Sequence, residues 1–278
     1  RNRLEIARLL ISKGARVDLP EADGTTPLYA ASDYCSCNCT PCEGCDCAMA
    51  VPLVSLFLEK GARVNASGKD GKTALDAAAS HSSISVVQFL LSRGASAASA
   101  DRSGLTPLHH AAYYGNEKIA KLLLDRGAPV DGVSNKIETP LQEAALRGHY
   151  HVMRLLLSRG ADPARKITCT YRHDDEDADV TRELTPIACF ARMHDAGKAL
   201  SLAGEFNISP DEELSVIAAE KRDMRSHQVF LLFIAAAYLA FAAFIRERIC
   251  REDPTGNILG FFHALLLALP LCVVPLGA

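Results

Sequence analysis

The sequence has almost no excess charge of either sign. Its 30 basic and 33 acidic side chains leave a formal net charge of −3, which gives no electrostatic footprint for nucleic acid and excludes a general DNA or RNA binder. There is no tryptophan. There is no Gly-rich phosphate loop, no G-x-S-x-G elbow and no H-E-x-x-H pair, so the chain is not expected to be an enzyme. The first residues, Arg1-Asn2-Arg3-Leu4-Glu5, contain neither an initiator methionine nor an apolar signal core. Ten cysteines are present, but six lie between Cys35 and Cys47, which argues against an evenly spread disulfide framework. What remains is 49% hydrophobic and 23% charged, the balance of a folded chain. Its 278 residues suit one or two domains.

Two short anchors recur. A Gly-Ala pair stands at Gly14, Gly61, Gly94, Gly127 and Gly160, with steps of 47, 33, 33 and 33. Thr-Pro-Leu or a near variant begins at Thr26, Thr73, Thr106, Thr139 and Thr185, with steps of 47, 33, 33 and 46. The period is therefore 33, broken by insertions of 14 and 13 residues. Before each Gly-Ala lies an apolar set such as Ile119, Ala120, Leu122, Leu123 and Leu124, or Val86, Val87, Phe89, Leu90 and Leu91. That spacing predicts a helix buried over much of its girth, with glycine as its left-handed C-cap. Thr106-Pro107 predicts the start of another helix, threonine at the N-cap and proline in the first turn. Ala111-Ala112 allows close packing, and Gly115 turns the chain into the second helix.

Ser103-Gly104-Leu105-Thr106-Pro107-Leu108-His109-His110-Ala111-Ala112 resembles the ankyrin repeat. Thr139-Pro140-Leu141-Gln142-Glu143-Ala144-Ala145 and Thr73-Ala74-Leu75-Asp76 resemble it with the histidine lost. The resemblance spans residues 1–207, as a partial first repeat and about five further copies. It implies an all-α solenoid of helix-turn-helix repeats joined by hairpin connections, to which C-terminal apolar helices are added. The first copy lacks its first helix, so upstream sequence is expected; the copy from Thr185 is degraded, as a capping repeat would be. The family binds proteins through positions that flank Gly-x-Thr and follow Ala-Ala. Here these are Lys69, Asp70, Lys72, Ser80 and His81, then Arg102, Ser103, Leu105, Tyr113 and Tyr114, then Asn135, Lys136, Glu138, Leu146 and Arg147. His109 and His149 fall on family positions that hydrogen-bond locally within the turn, which weighs against a metal role for His109-His110 or His149-Tyr150-His151.

The first insertion, residues 33–48, carries Cys35, Cys37, Cys39, Cys42, Cys45 and Cys47. Thiolates spaced C-x-C and C-x-x-C can wrap one soft ion, so zinc or copper(I) is a candidate ligand; the spacing resembles metallothionein. A redox-sensitive or disulfide-bridged loop, and a loop with no role, stay open beside it. No cofactor is required by anything else in the sequence. The second insertion, residues 164–182, holds five acids among the seven residues His173 to Asp179 and is expected to be a solvated loop. The sequons at Asn38, Asn65 and Asn207 are discounted as glycosylation sites, because ankyrin stacks are usually intracellular.

After Asn207 the composition changes. Ser209-Pro210-Asp211-Glu212 predicts a helix start, and residues 208–228 a linking helix. Val229 to Ile245 is a run of 17 apolar residues, and Ile258 to Ala278 a second run with His263 as its one ionisable group. The two, joined by a 12-residue polar connection, predict a transmembrane helical hairpin over 229–278. The expected protein is thus an ankyrin-repeat interaction scaffold or adaptor. Its partner is another protein on the concave repeat face, its repeats are cytoplasmic, and its C-terminus is held in a membrane, with no nucleic acid bound. Two alternatives stand: the front part of a larger ankyrin-bearing membrane protein, such as a palmitoyltransferase or ion channel, and a soluble scaffold with a metal-binding cysteine-rich loop.

Overall fold

A computed structural model of the chain describes residues 2–22, 24–33, 50–68, 70–81, 83–135, 138–172, 179–209 and 213–219. Residues 1–217 form one compact unit, which holds every element named below, and residues 218–278 form a second. The elements run α1 (Asn2–Ser12), α2 (Pro27–Ser32), α3 (Ala50–Glu59), α4 (Ala74–Ser80), α5 (Ile84–Ser92), α6 (Pro107–Tyr113), α7 (Glu117–Asp125), α8 (Pro140–Leu146) and α9 (Tyr150–Ser158). Strands β1 (Ile167–Arg172) and β2 (Asp179–Leu184) follow, then α10 (Pro186–Phe190) and α11 (Ala196–Glu205).

Each short helix starts where its threonine stops the extended chain. Thr26, Thr73, Thr106, Thr139 and Thr185 are N-caps with ψ between 151° and 168°. In three of the five the side chain three residues on closes the first turn. Asp76 Oδ2 accepts the Thr73 amide at 2.7 Å, His109 Nδ1 that of Thr106 at 3.0 Å, and Gln142 Oε1 that of Thr139 at 2.7 Å. Two residues after each threonine, Leu28, Leu75, Leu108, Leu141 and Ile187 are all buried to 1% exposure or less. One register therefore serves five helices. The row α2, α4, α6, α8, α10 forms one layer of the stack, and α1, α3, α5, α7, α9 the other. The alanine pairs Ala78-Ala79, Ala111-Ala112 and Ala144-Ala145 are fully buried between them, small enough for helices to approach closely.

Hydrogen bonds tie each repeat to the next. The Arg102 amide donates to the Asp70 carbonyl at 2.9 Å, and the Asn135 amide to the Ser103 carbonyl at 2.8 Å. Asn65 Oδ1 accepts the Ser96 amide at 2.9 Å, and Asp131 Oδ1 that of Asp162 at 3.1 Å. His109 Nε2 lies 3.2 Å from the Glu138 carbonyl oxygen, and Gln142 Nε2 donates to the carbonyls of Arg165 and Lys166 at 3.0 Å. His109 thus does cap its own turn as the motif implies, and it reaches the neighbouring repeat as well. His149 differs from the expectation: its Nε2 lies 2.9 Å from the Tyr113 carbonyl oxygen of the preceding repeat, so the bond is between repeats rather than within the turn.

The far end departs from an all-α solenoid. The flanks of the second insertion pair as an antiparallel hairpin, β1 with β2, from Ile167↔Leu184 to Arg172↔Asp179. The alternation Ile167, Cys169 inward and Thr168, Thr170 outward fits a half-buried strand, which a search for helical period overlooks. The acidic tip, residues 173–178, lies outside the described residues. A disulfide joins Cys169 of β1 to Cys189 of α10. In the degraded copy no glycine turn follows α10; a π-helical turn, Ala191–Asp195, carries the chain straight into α11, and Asn207 at φ 51° takes the capping place. Phe190 stands where the regular repeats have the first alanine of the pair and is itself buried to 1%.

Of the expected linking helix 208–228, residues 213–219 are helical. Leu214 and Ile217 are buried, and Glu213 accepts from Arg192 at 3.0 Å and Arg182 at 3.3 Å. Residues 213–217 therefore finish the stack rather than leave it. No helix among the described residues is long and apolar enough to cross a membrane. The runs 229–245 and 258–278 and the cysteines from Cys35 to Cys47 lie outside the described residues.

Candidate functional site

The connecting hairpins and the first turns of α6 and α8 enclose a cavity of about 460 Å³. Ser103, Leu105, Tyr113, Tyr114, Asn135 and Glu138 line it, six of the residues that the repeat motif marks as free for a partner. His109, His110, Ser134 and Glu143 complete the wall. The stacked hairpins form one side because their tips are pinned to each other through Asn135. Its Nδ2 donates to the Arg102 carbonyl at 2.6 Å, and its amide to Ser103. The helices form the other side. Tyr113 and Tyr114, at the end of α6, are 36% and 52% exposed, with their rings edge to face at 4.9 Å. The Arg147 guanidinium lies 4.0 Å over the Tyr113 ring.

Two histidines in the wall carry no charge at neutral pH. Burial pushes the pKa of His109 down, against the pull of the Glu138 backbone. Burial pushes His110 down to about 4, and its Nε2 has no hydrogen-bond partner. Glu138 is half-buried and Glu143 is 9% exposed.

Other residues marked by the motif lie apart from the cavity or are already engaged. Ser80 Oγ donates to the Asp76 carbonyl at 2.9 Å, and His81 Nε2 lies 2.7 Å from Asp33 Oδ1. Leu146 packs against the core, and its carbonyl oxygen lies 3.0 Å from His194 Nε2. Asp70 and Arg102 are exposed, with their backbones joined across the hairpin tips, and Lys72 is half-buried. Lys69 and Lys136 lie outside the described residues. The motif passed over His110 and Glu143, and a signal for them exists. Both stand four residues after the N-cap threonine, where Thr26 and Thr73 are followed by Ala30 and Ala77. After Thr185 the same position is Cys189, so a polar residue twice in succession at a position otherwise filled by alanine or cysteine departs from the packing rule. Among the described residues no group of three or more His, Cys, Asp or Glu is placed to hold a metal ion.

Comparison with known families finds matches over part of the chain. Residues 96–167 match the family model described as ankyrin repeats (3 copies), and residues 50–91 that described as ankyrin repeats (many copies). The two stretches contain α3 to α9, so the centre of the stack is ankyrin-like in sequence as well as in build. Repeats of this class are in general non-catalytic modules that bind other proteins. No curated protein matches the chain.

Proposed function

We propose that the stack is a scaffold or adaptor whose protein partner lies along the face made by the hairpins and the first helices, centred on Tyr113 and Tyr114. The observation that carries this is the cavity beside them. Exposed tyrosines at the mouth of a concave, partly polar cleft are the side chains that supply interface energy, because they bury a large rigid surface at low entropic cost. Arg102, Ser103, Leu105, Asn135, Glu138 and Arg147 surround that centre, and Asp70 and Lys72 extend it toward the preceding repeat. Partners recovered by cross-linking through a photoreactive group at Leu105 provide the test. Tyr113→Ala with Tyr114→Ala is expected to weaken their association by roughly 1–4 kcal/mol while the helical signal and melting stay near wild type. Undiminished association would move the partner to another face.

The reading includes a membrane tether, supported by the two apolar runs after Gln228. It puts the repeats in the cytoplasm, the usual place for such modules. Full-length protein should stay in the carbonate-washed membrane pellet, and Ala237→Arg should release it, since an arginine at mid-span opposes insertion by roughly 2.5–3.5 kcal/mol. Wild-type protein that needs no detergent would remove the tether and leave the scaffold.

A further inference from the structure

Three sulfur atoms meet where the degraded repeat takes over from the regular stack. Cys169 comes from β1 and Cys189 from α10, and both are fully buried. The third is Met193. Its Sδ lies 3.3 Å from Cys169 Sγ and 3.6 Å from Cys189 Sγ. Neither sulfur of the disulfide carries a hydrogen, so these are sulfur–sulfur contacts. Met193 stands in the π-helical turn Ala191–Asp195, where the repeats of α6 and α8 have the glycine turns Gly115 and Gly148. Single π turns within helices are frequent at functional sites. Met193 is itself 36% exposed, so the cluster is reached from solvent along that side chain.

With the disulfide closed the cluster has no thiolate to offer. Reductants of the cytoplasm, where the reading above places the repeats, keep cysteines as thiols. A dithiol supplies the two electrons and two protons that turn the bond into two thiols, and leaves as its own disulfide. What remains is two thiols and a thioether, soft donors that select copper(I). Zinc closes its structural sites with four ligands drawn from thiolate, imidazole and carboxylate, and a thioether is not among them. The dimensions suit three-coordination. With metal–sulfur bonds of about 2.3 Å, the three sulfurs must stand roughly 4 Å apart, and both contacts to Met193 are within about 1 Å of that. The Cα atoms of Cys169 and Cys189 are 6.0 Å apart, which lets the two thiolates part by side-chain rotation.

We propose that Cys169, Cys189 and Met193, once the disulfide is reduced, form a three-sulfur site for one copper(I) ion, which ties β1 to α10 in place of the disulfide. Each thiol loses its proton to solvent as its sulfur bonds the ion. Met193 coordinates through a lone pair, and the copper stays copper(I). The site shares no residue with the cysteines from Cys35 to Cys47, and it rests on the cytoplasmic reading only for its reductant.

The test reads Met193 directly. The chain has four methionines, so isotope labelling of their methyl groups in the full chain, in mild detergent, gives one NMR signal for each, that of Met193 identified by Met193→Leu. After reduction by a water-soluble phosphine without oxygen, copper(I) should shift the Met193 signal and leave that of Met153, buried in α9, unmoved. Zinc(II) should shift neither. Protein with its disulfide closed should not respond to copper(I). Cys169→Ser and Cys189→Ser should each abolish the shift, with the Met153 signal checking that the stack is intact; the oxidised control has the wild-type sequence and stands even where a variant unfolds. A Met193 signal that copper(I) leaves unmoved in the reduced protein would overturn the site. An equal shift with zinc(II), or with the disulfide closed, would do the same, as would a bond that phosphine cannot open in the folded protein. None of these outcomes touches partner binding at Tyr113 and Tyr114.

Discussion

The stretch from Asp70 to Pro163 and the end from Ala164 to Ser209 solve one problem, the attachment of a repeat to its neighbour, in two ways. In the first stretch the spacing is constant, so the same contact can be made again one period later. The Arg102 amide to Asp70 is repeated one period on as Asn135 to Ser103, and the bond of Ser96 to Asn65, just before the stretch, two periods on as Asp162 to Asp131. In the second, 13 extra residues separate the last regular repeat from Thr185, and this tip-to-tip stitching stops. Other ties stand in its place: the hairpin β1–β2, the Cys169–Cys189 disulfide, and the ion pairs from Arg182 and Arg192 to Glu213. Period alone can organise a stack while it lasts; where it fails, bonds specific to that place are needed.

The largest effect should come from the regular stretch. Leu123 in α7 is fully buried and has a repeat on either side. Leu123→Ala should cost roughly 2–5 kcal/mol in chemical denaturation. Leu4→Ala in α1, where Ile6, Leu9 and Leu10 are exposed, should cost far less. Equal losses would mean the repeats do not contribute through their neighbours. Next in size is the disulfide. It closes a loop with a sequence separation of 20, and on a chain-entropy account its loss should cost about 3 kcal/mol. Reduction, or Cys189→Ser, should therefore lower amide-exchange protection in α10 and α11 while α6 to α9 keep theirs. Uniform loss across both regions would show that the two are one cooperative unit and erase the contrast.

The regular stretch was legible in the sequence for a physical reason. A helix that starts at Thr-Pro and ends at Gly announces both ends locally, and the five buried leucine or isoleucine positions share one offset from the threonine. The hairpin was not legible. Ile167 to Arg172 and Asp179 to Leu184 flank a dense run of acids, and the charge obscures a short period-2 pattern that only the pairing stabilises. Nor could Cys169 be matched to Cys189, because their approach depends on how the hairpin folds back on α10. In the candidate site the hairpin and tyrosine positions followed from the motif. His110 and Glu143 did not, since their offset reads as packing until its polarity is noticed.

A smaller effect probes the turn between the helices of one unit. Gly115 has φ 74°, and a Cβ placed there would come 2.5 Å from the His149 ring. Gly115→Ala should cost about 1–3 kcal/mol by strain and by displacing that ring from its bond to Tyr113. The same change at Gly94 meets no atom within 4 Å, although its φ is 85°, so it isolates the backbone share. If both variants melt together, His149 contributes nothing to the junction between repeats.

The smallest expected effect lies at a single polar position within the regular stretch. His109 and Gln142 close their own turn with one atom and donate to the next repeat with another. Asp76 closes its turn with Oδ2, but Oδ1 is buried without a partner, because an ionised carboxylate has nothing to donate. Burial accordingly raises its pKa from 3.8 to about 6. A carboxylate whose folded pKa is raised costs stability when ionised, so the native state loses stability as pH rises from about 4 to 6. His110 works in the opposite sense. Its pKa is lowered from 6.5 to about 4, so the native state loses stability as pH falls through that interval. The two slopes oppose each other, and the wild-type profile between pH 4 and 6.5 should be shallow. Asp76→Asn removes one of them and supplies a donor. It should raise stability by about 1–2 kcal/mol at pH 7.5, be nearly neutral at pH 4, and leave a profile that falls toward acid with the slope of His110 alone. Urea denaturation of both proteins across that range reads the difference directly; parallel profiles would mean that Asp76 ionises without cost, and that the lost donor at this repeat is made good by another group.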